Sequence, residues 1–392
     1  MVDRRTVIGG SMNRSRLESK VRGALYGAAV GDALGSPAEG KAPVEIRERY
    51  GSITDFVEPW NGPSPIGKGD GRFSDDTHMT VILSQIYLDA DDHLDVFRFA
   101  SAIVPRIADQ PVWVAEHGRE MPLIERLFYP EKWLLMRLRL ANADPRLGGV
   151  GNMVNCGAAM YAAPVGIVNA GDPHAAYREA IEIFSAHQWS YGLEAAGVVA
   201  ACVAEAFRPK ATVDSIVDVA LELANDGTRS SIAAVTETAR QFQDWREALG
   251  PLRDAMRPYD GAAEQIRDRG NGTDDWTPSR VRSIEELPVA LGLLVVSAGD
   301  YEASVLAAAN YGRDNDSIAG MVGAITGAMH GDGTIRPDWI ERIDSANQVD
   351  FDPLAHDLAA LSRRLHERRY EEVEGRNRMF TDLAATASLV AS

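Results

Sequence analysis

Glycine recurs at every fourth position of the stretch GALYGAAVGDALG, at Gly23, Gly27, Gly31 and Gly35, and this spacing constrains the fold more than any other feature. On a helix of about 3.6 residues per turn it lines one stripe with residues that have no side chain. Each interior glycine costs roughly 1 kcal/mol of helix propensity relative to alanine. Four on one stripe therefore predict a tight helix crossing, where another backbone approaches closely. A similar stripe of Gly320, Gly323, Ala324, Gly327, Ala328 and Gly331 follows Asp316, beside the apolar set Ile318, Met321, Val322, Ile325 and Met329. Both helices are expected deep in the core.

From Lys20 onward most segments carry apolar residues at i, i+3, i+4 and i+7 spacing, and strand-like alternation is confined to a brief stretch from Ile53 to Val57. The fold class expected is all-α, a compact single domain of many helices over residues 17–365. A polar leader at 1–16 and a C-terminal tail at 366–392 flank it. Loops are expected at 58–72, 144–155 and 269–279, where Gly, Pro and polar residues gather.

Composition narrows the function classes. A formal net charge of −17 opposes nucleic-acid and membrane-surface partners, so an anionic substrate would need a local cation. The two cysteines, Cys156 and Cys202, are too few for a disulfide framework or a zinc site and suit a reducing interior. Arg4-Arg5 is followed by Gly9, Gly10, Asn13 and Arg14 rather than an apolar stretch, so no export signal is read and the cytoplasm is the expected location. No uninterrupted apolar run reaches about 18 residues, the length of a membrane span.

Two acidic motifs carry the chemistry. In Gly71-Arg72-Phe73-Ser74-Asp75-Asp76-Thr77 the adjacent carboxylates precede Met79, Ile82, Leu83, Ile86, Tyr87 and Ala90 on one helix face, which sets them at a helix N-terminus. Capping by Ser74 and complementing the helix dipole would explain them at about 0.3 to 1 kcal/mol each. Yet Gly312-Arg313-Asp314-Asn315-Asp316-Ser317 opens the second glycine-rich helix with the same residue types. If the two helix starts converge, each close like-charge pair costs on the order of 4 kcal/mol at an effective dielectric near 20, more than capping offsets. Divalent cations would neutralise it, and an all-oxygen donor set suits hard ions such as Mg²⁺ or Mn²⁺. An EF-hand is excluded, because a loop begun at Asp314 puts Ala319 at its sixth position and Ile325 at its twelfth. Thr273-Asp274-Asp275-Trp276-Thr277 repeats the pattern without an obvious helix after it and reads as a solvated loop or, alternatively, a rim of the site.

Three segments together, GALYGAAVGDALGSPAEG, GRFSDDTHMT and NYGRDNDSIAGMVGAITGAMHG, resemble the ADP-ribosylglycohydrolase family in order and separation. The resemblance implies a compact all-α fold with two divalent cations, Mg²⁺ or Mn²⁺. Position by position it implies metal ligands at Ser74, Asp75, Asp76, Asp314, Asp316 and Ser317, and a catalytic role among Glu39, Asp75 and Asp316. Asp32 matches an aspartate in the first segment, for which a buried structural role is expected. Two metals would orient ribose hydroxyls and lower the pKa of a bound water, which would attack the anomeric carbon through an oxocarbenium-like transition state.

The substrate groove implied by the resemblance runs through Gly151, Asn155, Cys156, Gly157, Tyr161 and His187. Here Asn155, Cys156 and Tyr161 replace the Gly, Asn and Arg of the family pattern. Tyr161 either repacks its helix or alters substrate choice; His187 also reads as a satisfied structural histidine, and His78 and His330 as core residues. The function expected is metal-dependent hydrolysis of a ribosyl N- or O-glycosidic bond, with an ADP-ribosylated protein side chain as substrate. A small nucleoside or nucleotide-like riboside is the alternative, and a non-catalytic structural protein, like the family's lens crystallin, is the second alternative.

Overall fold

A computed structural model describes residues 14–259 and 284–385. Residues 1–13 of the expected leader, the loop at 269–279 with Thr273 to Thr277, and the last residues of the expected tail lie outside that range. The described residues form sixteen α-helices and one two-stranded sheet. In chain order α1 (Arg16–Gly35), α2 (Pro43–Tyr50), α3 (Asp75–Ala90) and α4 (Val96–Ala108) precede a hairpin of β1 (Pro111–Val114) and β2 (Arg119–Pro122). There follow α5 (Tyr129–Leu134), α6 (Ala163–Val168), α7 (Pro173–Phe184), α8 (Ser190–Ala206), α9 (Val213–Leu223), α10 (Asp226–Ala239) and α11 (Trp245–Met256). The last set is α12 (Glu286–Val296), α13 (Tyr301–Tyr311), α14 (Asn315–His330), α15 (Pro337–Asn347) and α16 (Asp352–Ala384).

The two glycine stripes pack on each other. A Cβ at Gly23 would stand 2.4 Å from the carbonyl oxygen of Gly327, at Gly27 2.3 Å from that of Gly323, at Gly31 2.1 Å from that of Ala319, and at Gly35 2.5 Å from that of Asn315. Rising numbers on α1 meet falling numbers on α14, so the helices run antiparallel in backbone contact along their whole length. No side chain fits between them, which is the physical reason for the repeat. The crossing sets the C-terminal end of α1 against the first turn of α14. Around this pair one continuous apolar cluster draws on Tyr26, Leu83, Val199, Leu291, Val305 and Ile325.

The structure departs from the sequence reading in its strands. Residues 53–57 form no strand: the Ile53 amide donates to Asn310 Oδ1 at 2.9 Å, and Asn310 Nδ2 donates to the Ile53 carbonyl at 2.8 Å, so one side chain satisfies the backbone that a partner strand would have. The sheet lies instead at 111–122, with Val112 opposite Met121 in an antiparallel register. Past residue 365, where the tail is expected, α16 continues unbroken, 33 residues in all, to Ala384. Burial stops at Leu365, but beyond it the sequence is rich in Arg and Glu, and pairs such as Glu374 with Arg378 at 3.8 Å support an exposed helix. No helix among the described residues is long and apolar enough to cross a membrane.

Candidate active site

Ser74 caps α3, its hydroxyl accepting from the Asp76 amide at 3.3 Å. The helix start is fixed from beneath by Asp32, one turn before the end of α1 and fully buried. Asp32 accepts from the Ser74 amide at 2.9 Å, the Thr77 amide at 3.2 Å, the Thr77 hydroxyl at 2.6 Å and the Ser36 hydroxyl at 2.8 Å. Burial raises its pKa while these hydrogen bonds pull it back. A carboxylate on the glycine-rich helix thus holds the Ser-Asp-Asp segment by its backbone, as the sequence reading of Asp32 expected.

The second motif is placed by a left-handed turn, with φ of 75° at Gly312 and 60° at Arg313. A Cβ at Gly312 would stand 2.1 Å from the Lys41 carbonyl, so only glycine fits. Gly40 N donates to the Arg313 carbonyl at 2.6 Å and Arg313 N to the Lys41 carbonyl at 2.9 Å, which draws Glu39 in beside Asp314. The Arg313 guanidinium is buried and donates to Glu285, as does the Tyr311 hydroxyl. From the first turn of α14, Ser317 Oγ donates to Asp76 Oδ2 at 2.7 Å. The two acidic helix starts therefore meet.

They meet at a cavity of about 550 Å³ whose wall carries seven carboxylates, Glu39, Asp75, Asp76, Glu131, Glu286, Asp314 and Asp316, and two cations, Lys68 and Arg126. Lys68 Nζ donates to Glu39 and lies 3.2 Å from Asp316 Oδ2. Arg126 joins Asp75 Oδ1 at 2.6 Å to Glu116. Two cations do not cancel seven carboxylates, and the buried acids resist ionisation: burial, then Glu39, pushes Asp316 up to about 7, and burial with neighbouring carboxylates holds Asp76 and Asp314 well above the usual range. Glu131 is pushed up to about 8, mainly by burial and then by Asp75.

Among the described residues, two groups of side chains bring ligand atoms within 4.8 Å of one another, Glu39 with Asp314 and Asp316, and Cys156 with Glu286 and Asp314. The excess of buried carboxylate oxygens, joined by the Ser317 hydroxyl, fits hard divalent cations, which would supply the missing charge.

Of the expected groove residues, Asn155 and Cys156 reach the cavity wall. Cys156 Sγ donates to Asp314 Oδ2 at 3.0 Å and lies 3.5 Å from Ser317 Oγ; burial and then Asp314 push its thiol well up, so it stays neutral. Gly151, Gly157, Tyr161 and His187 are not on that wall. A Cβ at Gly157 would stand 2.3 Å from Glu131 Oε1, so this glycine admits the buried acid. The Tyr161 ring packs edge-on against Phe184 with centroids 5.0 Å apart. His187 Nε2 faces the Pro130 carbonyl at 3.1 Å, which can only accept, so that nitrogen carries the proton and Nδ1 accepts from the Tyr161 hydroxyl at 2.8 Å. Burial holds His187 down at about 3, a neutral core histidine.

Ser74 also lies behind the carboxylates rather than on the wall, 3.5 Å from Asp76 Oδ1. His78 is half-buried and neutral, lowered to about 4 by desolvation and then by Arg126; His330 meets the Gly299 carbonyl at 3.0 Å.

Sequence reasoning missed Lys68, Arg126, Glu131 and Glu286. Glu285-Glu286 opens an apolar helix as Asp75-Asp76 does, and that likeness was the available signal. Lys68 stands in the Gly-rich loop just before the motif. Arg126 follows the unforeseen hairpin, so nothing local marked it.

Residues 13–372 match the family described as ADP-ribosylglycohydrolase. The chain is 26% identical over 343 residues to the uncharacterized protein YegU of Escherichia coli, covering 87% of this chain and 96% of that one. It is 24% identical over 333 residues to the ADP-ribosylarginine hydrolase Tri1 of Pseudomonas putida, covering 83% and 74%, and 23% identical over 356 residues to the ADP-ribosylhydrolase ARH3 of Danio rerio, covering 85% and 88%. A solved ADP-ribosylglycohydrolase-related protein complex shares the fold, with a TM-score of 0.54 at 18% identity over 88% of this chain and 99% of that one. A match that runs from residue 13 to residue 372 leaves little of the sequence outside it, and the chain belongs to the ADP-ribosylglycohydrolase family.

Proposed function

We infer that the protein hydrolyses a ribosyl N- or O-glycosidic bond, with ADP-ribose on a protein side chain as its substrate. The observation that carries this reading is the bond from Ser317 to Asp76, which makes one acidic cavity out of two distant motifs. The activities named for the relatives in Pseudomonas putida and Danio rerio support the substrate class.

Asp75, Asp76, Asp314, Asp316 and Ser317 would hold two divalent cations, Mg²⁺ or Mn²⁺, with Ser74 ordering the segment from behind. When bound, the cations supply positive charge that orients ribose hydroxyls and acidifies water. The chain's own residues do the rest. Arg126, anchored by Glu116, fixes the Asp75 carboxylate, and Asp75 or Asp316 takes a proton from water as its oxygen bonds to the anomeric carbon. The bond from that carbon to the leaving nitrogen or oxygen breaks, and the leaving atom takes up a proton. The surrounding carboxylates stabilise the positive charge that develops on the sugar. Glu39, on a turn at the rim and bonded to Lys68, positions the water.

A second reading, a small riboside substrate, is favoured by one observation: Asn155 and Cys156 stand on the cavity wall where the family pattern has other residues. Assaying ADP-ribosyl-arginine, ADP-ribosyl-serine and simple nucleosides side by side separates the two. Turnover of an ADP-ribosyl side chain supports the first, and turnover of nucleosides alone overturns it.

A further inference from the structure

A second cavity, of about 920 Å³, lies at the other end of α1 and shares no lining residue with the acidic one. The first turn of α1, the turn between α6 and α7, the end of α8 and the middle of α16 enclose it. At about 1.5 Å per residue α1 spans roughly 30 Å, which separates this groove from Glu39.

Its charge runs against that of the molecule. The chain has 57 acidic and 40 basic residues, yet the groove is lined by Arg16, Lys20, Arg208, Arg363 and Arg369 against the carboxylate of Asp172. Asp172 is matched with Arg369 at 2.9 Å, and Arg208 with Glu205 at 2.9 Å. The other three cations have no carboxylate partner among the described residues. Arg16 donates to the Pro209 carbonyl at 3.2 Å, and Lys20, buried beside Phe207, donates to the Ala206 carbonyl at 2.7 Å. Burial, and then the charge of Arg16 beside it, lower Lys20 to about 8. A buried ammonium held only by a neutral carbonyl is costly unless an anion completes it.

We propose that this groove binds a small organic phosphomonoester, its phosphate among Arg16, Lys20 and Arg363 and its organic part against Leu17, Phe207 and Leu365. Three uncompensated cations match a dianion better than a single carboxylate, and guanidinium forks suit phosphate oxygens. The cavity's size is that of a small-molecule site, and its apolar wall gives the organic part a surface to cover.

The test is calorimetric titration of the full chain with AMP and with inorganic phosphate at low ionic strength. Wild type is compared with Arg16→Gln/Arg363→Gln, two exposed positions, and with Asp316→Asn, which alters the acidic cavity. One saturable site for AMP is expected, tighter than for inorganic phosphate, unchanged in Asp316→Asn and at least tenfold weaker in Arg16→Gln/Arg363→Gln. AMP binding no tighter than phosphate contradicts the apolar contact and assigns the site to the free anion. No saturable binding, or a site lost in Asp316→Asn and kept in Arg16→Gln/Arg363→Gln, overturns the proposal.

Discussion

Ser317 donates its hydroxyl hydrogen to Asp76 at 2.7 Å although 241 positions separate the two residues. The glycine crossing makes this contact possible, because a Cβ at Gly35 would stand 2.5 Å from the carbonyl oxygen of Asn315, the residue that opens α14. Residues without side chains thus bring carboxylates together, and consequences follow at each level of that chain of causes.

Gly31→Ala is expected to destabilise the protein by about 1 to 3 kcal/mol, because overpacking against a backbone has no side chain to rearrange. Its Cβ would lie 2.1 Å from the Ala319 carbonyl oxygen. Gly375→Ala, on the exposed part of α16 with nothing within 4 Å, is the control and should gain up to about 1 kcal/mol from helix propensity. Denaturant unfolding of both variants checks this, and equal stabilities would refute close crossing as the reason for the stripe.

Asp32→Asn puts an amide where only acceptors fit, facing the Ser74 and Thr77 amides. A loss of about 1 to 3 kcal/mol is expected from the unsatisfied donors, together with weaker divalent-ion binding, since the Ser-Asp-Asp segment loses its anchor. Thermal unfolding and calorimetry read the two effects separately.

Divalent-ion affinity should rise with pH. Asp316 is pushed up to about 7 in the folded chain, against roughly 4 when unfolded. Between those values the folded chain keeps a proton that the unfolded chain has released, so this group's contribution to stability falls as pH rises through that window. His78 and His187, lowered to about 4 and about 3, act in the opposite direction: their contribution is present above roughly 6.5 and lost as pH falls. The discriminating quantity is therefore the difference in unfolding temperature with and without Mg²⁺. It should widen from pH 5.5 to pH 7.5 as the ion displaces protons, and a difference that narrows contradicts the assignment.

Lys68→Met should strengthen divalent-ion binding by about tenfold, because it removes an internal cation that occupies Glu39 and Asp316. The same change should lower the stability of the ion-free chain. Loss of ion binding in this variant would mean that Lys68 helps to build the site.

The stripes, the acidic helix starts and the buried role of Asp32 were legible in the sequence because each is local: a repeat of four, a cap, a charge among small residues. The meeting of α1 with α14 was not, since a stripe reports close approach without naming the partner. Tyr161 shows the same limit. Substitution for arginine left substrate choice and repacking both open, and only the three-dimensional neighbours, Phe184 and His187, put it in the core. Arg126 reaches Asp75 across a hairpin of two four-residue strands, too short to leave an alternating pattern.

The central claim is that two distant acidic motifs form one divalent-cation site, and calorimetric titration of the full chain with Mg²⁺ and Mn²⁺ tests it most directly. Saturable binding of two ions by the native protein, lost or reduced to one ion in Asp316→Ala while the fold persists by circular dichroism, is the result expected. No binding by the native chain, or undiminished binding by Asp316→Ala, would contradict it.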